Sequence, residues 1–218
     1  MKKHLYLAVL LLMSIMSYSQ QISTSVGRIS TTFDYSNSDG NEIENLHSVN
    51  GFHYSLGYRM TLNERFYLNA SMVFNNYANE GSDPELDNYY RWNTKYLGLS
   101  ASAAYEFLQA SNFRLSAILD VSPQFMISGQ QTINNQIFSL KGIEQFDSPF
   151  LFLRGGLRAN YCLDEKVAIS LSYCYGAGSP FKKSGDGEEL KLRSSTISLG
   201  LLWSIKKCKY CQIRRTNR

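Results

Sequence analysis

A chain of 218 residues, 44% of them hydrophobic, is long enough for one sizeable folded domain and is not the composition of a disordered protein. Its formal charge of +4 belongs to its ends. Residues 21 to 205 carry 14 Lys and Arg against 18 Asp and Glu, whereas Lys206, Lys207, Lys209, Arg214, Arg215 and Arg218 close the chain with no acid among them. The basic balance therefore gives no argument for nucleic acid as a partner, and none is expected.

The chain opens with Lys2 and Lys3, an apolar run from Leu5 to Met16, and Ser17 and Ser19 flanking Tyr18. That order reads as a secretory leader over residues 1–19. The apolar run is too short for a membrane-spanning helix, which needs roughly 20 residues, and nothing after residue 20 approaches that length. The mature chain is dominated by alternation. A strand sends successive side chains to opposite faces, so parity separates the faces.

A first, weaker strand is predicted from Gln21 to Tyr35. Over 51–60, Phe52, Tyr54, Leu56, Tyr58 and Met60 oppose Gly51, His53, Ser55, Gly57 and Arg59; over 65–74, Phe66, Leu68, Ala70, Met72 and Phe74 oppose Tyr67, Asn69, Ser71 and Val73. The pattern returns over 95–107, 113–121, 151–161, 167–175 and 195–203, making eight strands. The intervals alternate. "TLNE", "LQASN" and "CLDEK" are tight turns, while 36–47, 75–91, about 128–148 and 176–191 are long and polar. Short turns at one end and long loops at the other specify an all-β, eight-stranded antiparallel up-and-down barrel.

The polar faces consist of Gly, Ser, Ala and Asn with a few charges, too small for a surface in water but suited to a narrow lumen. Aromatic residues gather near strand ends on the greasy face: Tyr58, Phe66, Phe74, Tyr105, Phe107, Phe113, Tyr161, Tyr175 and Trp203. Such girdles mark the two interfaces of a transmembrane barrel. In pattern and layout, residues 21 to about 205 resemble the small eight-stranded outer-membrane β-barrel families of Gram-negative bacteria. The resemblance implies export through a cleaved leader, a barrel over 20–205 in the outer membrane, and a basic periplasmic tail over 206–218.

Parity and turn symmetry assign Arg28, Arg59, Arg114, Arg154 and Arg158 to the lumen, facing Asp34, Glu106 and Asp120. Glu106 and Arg114 flank Ala110 symmetrically, which predicts a cross-strand ion pair. This network reads either as a polar filling or as the gate of a narrow channel. The long loops hold twelve acids against five bases, an anionic outer rim. Tyr77, Tyr89 and Tyr90 lie in one of them and Trp92 directly follows it; the four either form a surface for a partner or pack over the barrel mouth.

Neither "SDPELD" nor "GDGEEL" has an EF-hand spacing, so no metal and no cofactor is expected. Cys162 and Cys174 sit roughly 20 Å apart along neighbouring strands and cannot bridge. A local disulfide between Cys208 and Cys211 is expected in an oxidising periplasm. His53 and Ser55 share the inward face, but no catalytic motif surrounds them and no enzyme is expected.

The function expected is a structural or interaction role through the outer loops. A narrow channel is the alternative, followed by a soluble ligand-binding barrel or a lipid-modifying enzyme. The expected partners are outer-membrane lipid and, through loops or tail, other envelope proteins, with the barrel a monomer.

Overall fold

The computed structural model describes residues 20–36, 46–83, 88–181 and 189–205. The leader expected over 1–19 and the periplasmic tail expected over 206–218 lie outside the described residues. The elements are β1 (Gln20–Ser36), β2 (Leu46–Thr61), β3 (Phe66–Asp83), β4 (Asn88–Ala110), β5 (Phe113–Ile133), β6 (Gln136–Ser139), a single helical turn α1 (Glu144–Asp147), β7 (Phe150–Cys162), β8 (Val167–Pro180) and β9 (Glu189–Ser204). Every neighbouring pair is antiparallel. The hydrogen-bonded order β4-β3-β2-β1-β9-β8-β7-β5 is closed by a β4–β5 ladder, so eight strands form a ring with no free edge. β6 folds back on β5 above the ring and belongs to no seam of the barrel.

The three tight turns are 62–65, 111–112 and 163–166, as expected from the intervals. Two are built the same way. Asn63 Oδ1 accepts from the backbone N–H groups of Arg65 and Phe66 at 2.9 and 2.8 Å, and Asp164 Oδ1 accepts from Lys166 and Val167 at 2.6 and 2.8 Å. Both are side chains bent onto their own turn. The Asp164 donors, first Lys166 N–H and then Val167 N–H, hold its carboxyl below the usual carboxylate range. A depressed folded pKa means that this contribution is present above the unfolded pKa and fades as the pH falls through the folded value. Asp164→Asn should therefore narrow the difference in unfolding midpoint between neutral and acid pH, read by heat-modifiable gel mobility; an unchanged pH profile would show that the turn does not couple to folding.

At the other end the strands run further than the alternation of the membrane-facing segments alone suggests. β3 and β4 extend to Asp83 and from Asn88, so most of the polar stretch 75–91 is ladder rather than loop, paired from Asn75↔Tyr96 up to Asp83↔Asn88. This extension decides what the barrel's inside looks like. In the lower part, the outward positions are Leu99, Leu119, Leu171 and Leu201, exposed by 64, 56, 51 and 45%. In the upper part the greasy side is the inside. β9 shows the change on one strand: Lys191, Arg193 and Ser195 point outward before Ile197, Leu199, Leu201 and Trp203, while Leu190 and Leu192 point inward before Ser194, Thr196 and Ser198.

The reason is the medium. Where lipid surrounds the wall, apolar residues gain nothing by turning inward and the lumen takes the polar groups; where water surrounds it, burial of apolar area drives them inside. From Ile197 to Ile205 the outward apolar run covers about 26 Å of strand, or about 20 Å along the membrane normal at the usual tilt, close to the height of an outer-membrane apolar band. Aromatic pairs mark its two edges, Phe66 against Tyr105 at 5.0 Å and Tyr54 against Phe74 at 6.1 Å.

Candidate functional site

The lumen has three storeys. Nearest the turns, Glu106 is 1% exposed and gathers cations from two other strands: Arg59 at 3.7 Å and Arg114 at 3.3 Å. Gln109 Nε2 donates to the same carboxylate at 3.0 Å, and the Arg59 guanidinium lies 3.9 Å from the centre of the Tyr67 ring. The expected Glu106–Arg114 pair is present, but not directly across the ladder. A register shift between Glu106 and Leu108 places Arg114 opposite Gln109, and the long arginine side chain reaches back.

Above this cluster, Asp120 and Arg154 face each other in register and pair at 3.7 Å, with Ser100 donating to Asp120. Arg158 lines the same level. Together with Ser25, His53, Ser55, Ser172, Cys174 and Ser198 these residues surround a cavity of about 70 Å³, room for a few waters. His53 Nδ1–H donates to Asn75 Oδ1 at 2.7 Å, which leaves Nε2 facing the Ser25 hydroxyl at 3.4 Å. A hydroxyl, an imidazole and an orienting amide in line are the parts of a nucleophile and its base. Here Ser25 also shares a 2.6 Å hydrogen bond with Ser55, and the space before it admits water rather than an acyl chain.

The third storey is apolar. Ile29, Phe33, Tyr77, Trp92, Tyr96, Met126, Phe150, Phe152, Leu190 and Leu192 fill the outer half of the lumen, and Leu140 and Phe146, from the segment carrying β6 and α1, close over them. Tyr77 stacks on Phe152 at 5.1 Å and meets Tyr96 edge-on at 5.5 Å. Its hydroxyl donates to Gln124 Oε1 at 2.9 Å and accepts from Arg154 Nη2 at 2.6 Å, tying the plug to the charges beneath. Phe152 needs a glycine opposite it: a Cβ on Gly178 would lie 2.4 Å from the ring.

The lumen assignments of Arg28 and Asp34 are corrected. Arg28 does not join the lumen. Ile29, Thr31 and Phe33 take the inward positions of β1, so Arg28 faces outward between Phe52 and Ile197, and Asp34 pairs with Arg193 at 2.7 Å outside the barrel. The weak alternation of β1 hid this, because its apolar residues switch faces midway. Of the two readings of the aromatic loop, the structure shows packing over the barrel mouth: Tyr77 and Trp92 are buried, and Tyr90 stacks on Trp92 at 5.7 Å; of the four, Tyr89 alone is exposed. Arg59, Glu106, Arg114, Asp120, Arg154 and Arg158 point into the lumen.

Cys174 is a free thiol in the lumen and Cys162 is disulfide-bonded, while Cys208 and Cys211 lie outside the described residues. Among the described residues no group of three or more His, Cys, Asp or Glu side chains is placed to hold a metal ion.

A polar lumen, an apolar belt and a closed ring are features that many barrels share, and the comparison with known families decides among them. The family model for the outer membrane protein β-barrel domain matches residues 5–204. The chain belongs to that family. No curated protein matches it. Solved structures similar to this outer-membrane barrel include neisserial surface protein A (17% identity, 84% of this chain and 97% of that one, TM-score 0.44). Ail, the attachment invasion locus protein of Yersinia pestis, matches at 15% identity over 85% of this chain and 99% of its own, with a TM-score of 0.41. OprG from Pseudomonas aeruginosa matches at 15% identity over 88% and 99%, with a TM-score of 0.48.

Proposed function

We propose that this outer-membrane barrel is a closed, non-conducting platform that acts through its outward-facing rim, and neither a channel nor an enzyme. The observation that carries the reading is the apolar third storey. A pore needs continuous polar space, and here the aromatic rings of Tyr77, Tyr96, Phe150 and Phe152 occupy the lumen directly above the only charges that would line it among the described residues. The Ser25, His53 and Asn75 alignment supports a filled polar interior more than catalysis, since its hydroxyl faces a small enclosed space.

The rim offers a partner charge more than aromatic surface. Exposed ion pairs, Arg91–Glu80 at 3.4 Å and Arg193–Asp34, decorate the upper wall. The acids Asp39, Glu42, Glu44, Glu85, Asp87, Asp186 and Glu188 add to the anionic balance and lie outside the described residues. The partners proposed are membrane lipid around a monomeric barrel and, through rim or tail, other envelope proteins. Planar-bilayer recording of the purified protein tests the reading: no steady conductance is expected, and reproducible single-channel steps would refute it.

A further inference from the structure

The wall formed by β1, β2 and β9 carries one cation at the top of its apolar face. Arg28 is exposed on the outward side, and its partners across the two seams are Phe52 and Ile197. The next outward rung toward the turns is Tyr54, Val26 and Leu199; the next toward the outer surface is Asn50, Ser30 and Ser195. Arg28 therefore stands on the last rung below the line where the outward face changes from apolar to polar. Val26, Gly27, Phe52, Tyr54, Ile197 and Leu199 line a shallow, open groove between outward side chains around the arginine. Among the described residues no carboxylate pairs with Arg28, and Asp34, the one acid on its strand, lies six residues further along and pairs with Arg193.

A guanidinium on a lipid-facing wall is costly at the midplane and tolerated at the interface, where its stem can lie along apolar surface with the head raised to headgroup depth. At that depth it needs an anion. Phosphate accepts two parallel hydrogen bonds from one guanidinium, and the rung above supplies two hydroxyls and an amide within the same small patch. We propose that this face docks one phosphorylated lipid of the surrounding outer leaflet, its phosphate held by Arg28 among Ser30, Asn50 and Ser195, and an acyl chain lying in the groove over Val26, Tyr54 and Leu199. The occupant is a lipid rather than a free anion because half of the site is an apolar wall that only hydrocarbon covers, and a single exposed cation holds a dissolved phosphate weakly.

The test uses the full chain in phosphatidylcholine vesicles containing spin-labelled phosphatidic acid or spin-labelled phosphatidylcholine, with the motionally restricted fraction read by electron paramagnetic resonance. Phosphatidic acid should be preferred by about two- to fivefold, the range of a partly exposed ion pair. The preference should fall to near unity in Arg28→Gln and persist, reduced, in Arg28→Lys, which keeps the charge but not the fork. Val26→Trp, which fills the groove with Arg28 intact, should also reduce it. Heat-modifiable mobility confirms that each variant is folded. An unchanged preference in Arg28→Gln or in Val26→Trp overturns the proposal, and so does loss of the preference on adding inorganic phosphate, which would assign the site to a free anion.

Discussion

Glu106→Ala should destabilise the folded barrel by about 3–5 kcal/mol, the penalty for leaving buried charge without its partner. The carboxylate is 1% exposed and is shared by Arg59 and Arg114, themselves 3% and 11% exposed, so its removal takes away the one negative charge that both guanidiniums meet in this cluster. Arg59 would keep its contact with the Tyr67 ring, which is worth less than a carboxylate. Like charges in a narrow lumen have no room to separate. The expectation distinguishes the charge from the space it fills: replacing Arg59, Glu106 and Arg114 together by Met, Leu and Met should recover most of the loss, because an apolar triad leaves no ion unpaired. Urea unfolding of vesicle-reconstituted protein, followed by tryptophan fluorescence, measures both. A loss below about 1 kcal/mol for Glu106→Ala would mean that water, and not the carboxylate, satisfies the two arginines.

This cluster was half legible in the sequence. Parity alone places Arg59, Glu106 and Arg114 inside, and the two-residue turn at 111–112 brings Glu106 and Arg114 close. That Arg59 shares the same carboxylate depends on how far β2 is staggered against β4 through β3, and stagger around a ring leaves no mark in any one strand. The strand number and the tight turns were readable for a related reason: lipid on one side and a narrow lumen on the other impose a strict period of two on each segment. Beyond the membrane that constraint changes sign. In 75–91 the alternation continues, with Tyr77 and Trp92 on one side and Ala78 and Arg91 on the other, but the apolar side is now the inside. Read without knowledge of where the membrane ends, the same residues look like an irregular polar loop with stray aromatics. Arg28 was misplaced by the same change, since it sits one rung below the switch on the strand whose apolar residues are divided most evenly between the two faces.

The switch can be measured directly on β9 by placing one arginine at three heights. Leu201→Arg puts a charge on the wall three rungs below the polar line, at the middle of the apolar band, and should cost about 2–4 kcal/mol. Ser195→Arg sits on the polar line, where the same substitution should cost about 0–1 kcal/mol. Leu192→Arg lies higher still, outside the membrane, yet should again be expensive, about 3–5 kcal/mol, because Leu192 is 1% exposed within the aromatic plug and no acid of that cluster stands ready to pair with the new charge. A barrel that was simply apolar outside and polar inside along its whole length would give the opposite order for the last two, with the inward arginine solvated in the lumen. The non-monotonic series of high, low and high cost is therefore specific to a barrel whose greasy face turns inward as it leaves the membrane. It also bears on conduction: a cheap Leu192→Arg would mean that water already reaches the third storey, and the closed-platform reading would fall with it.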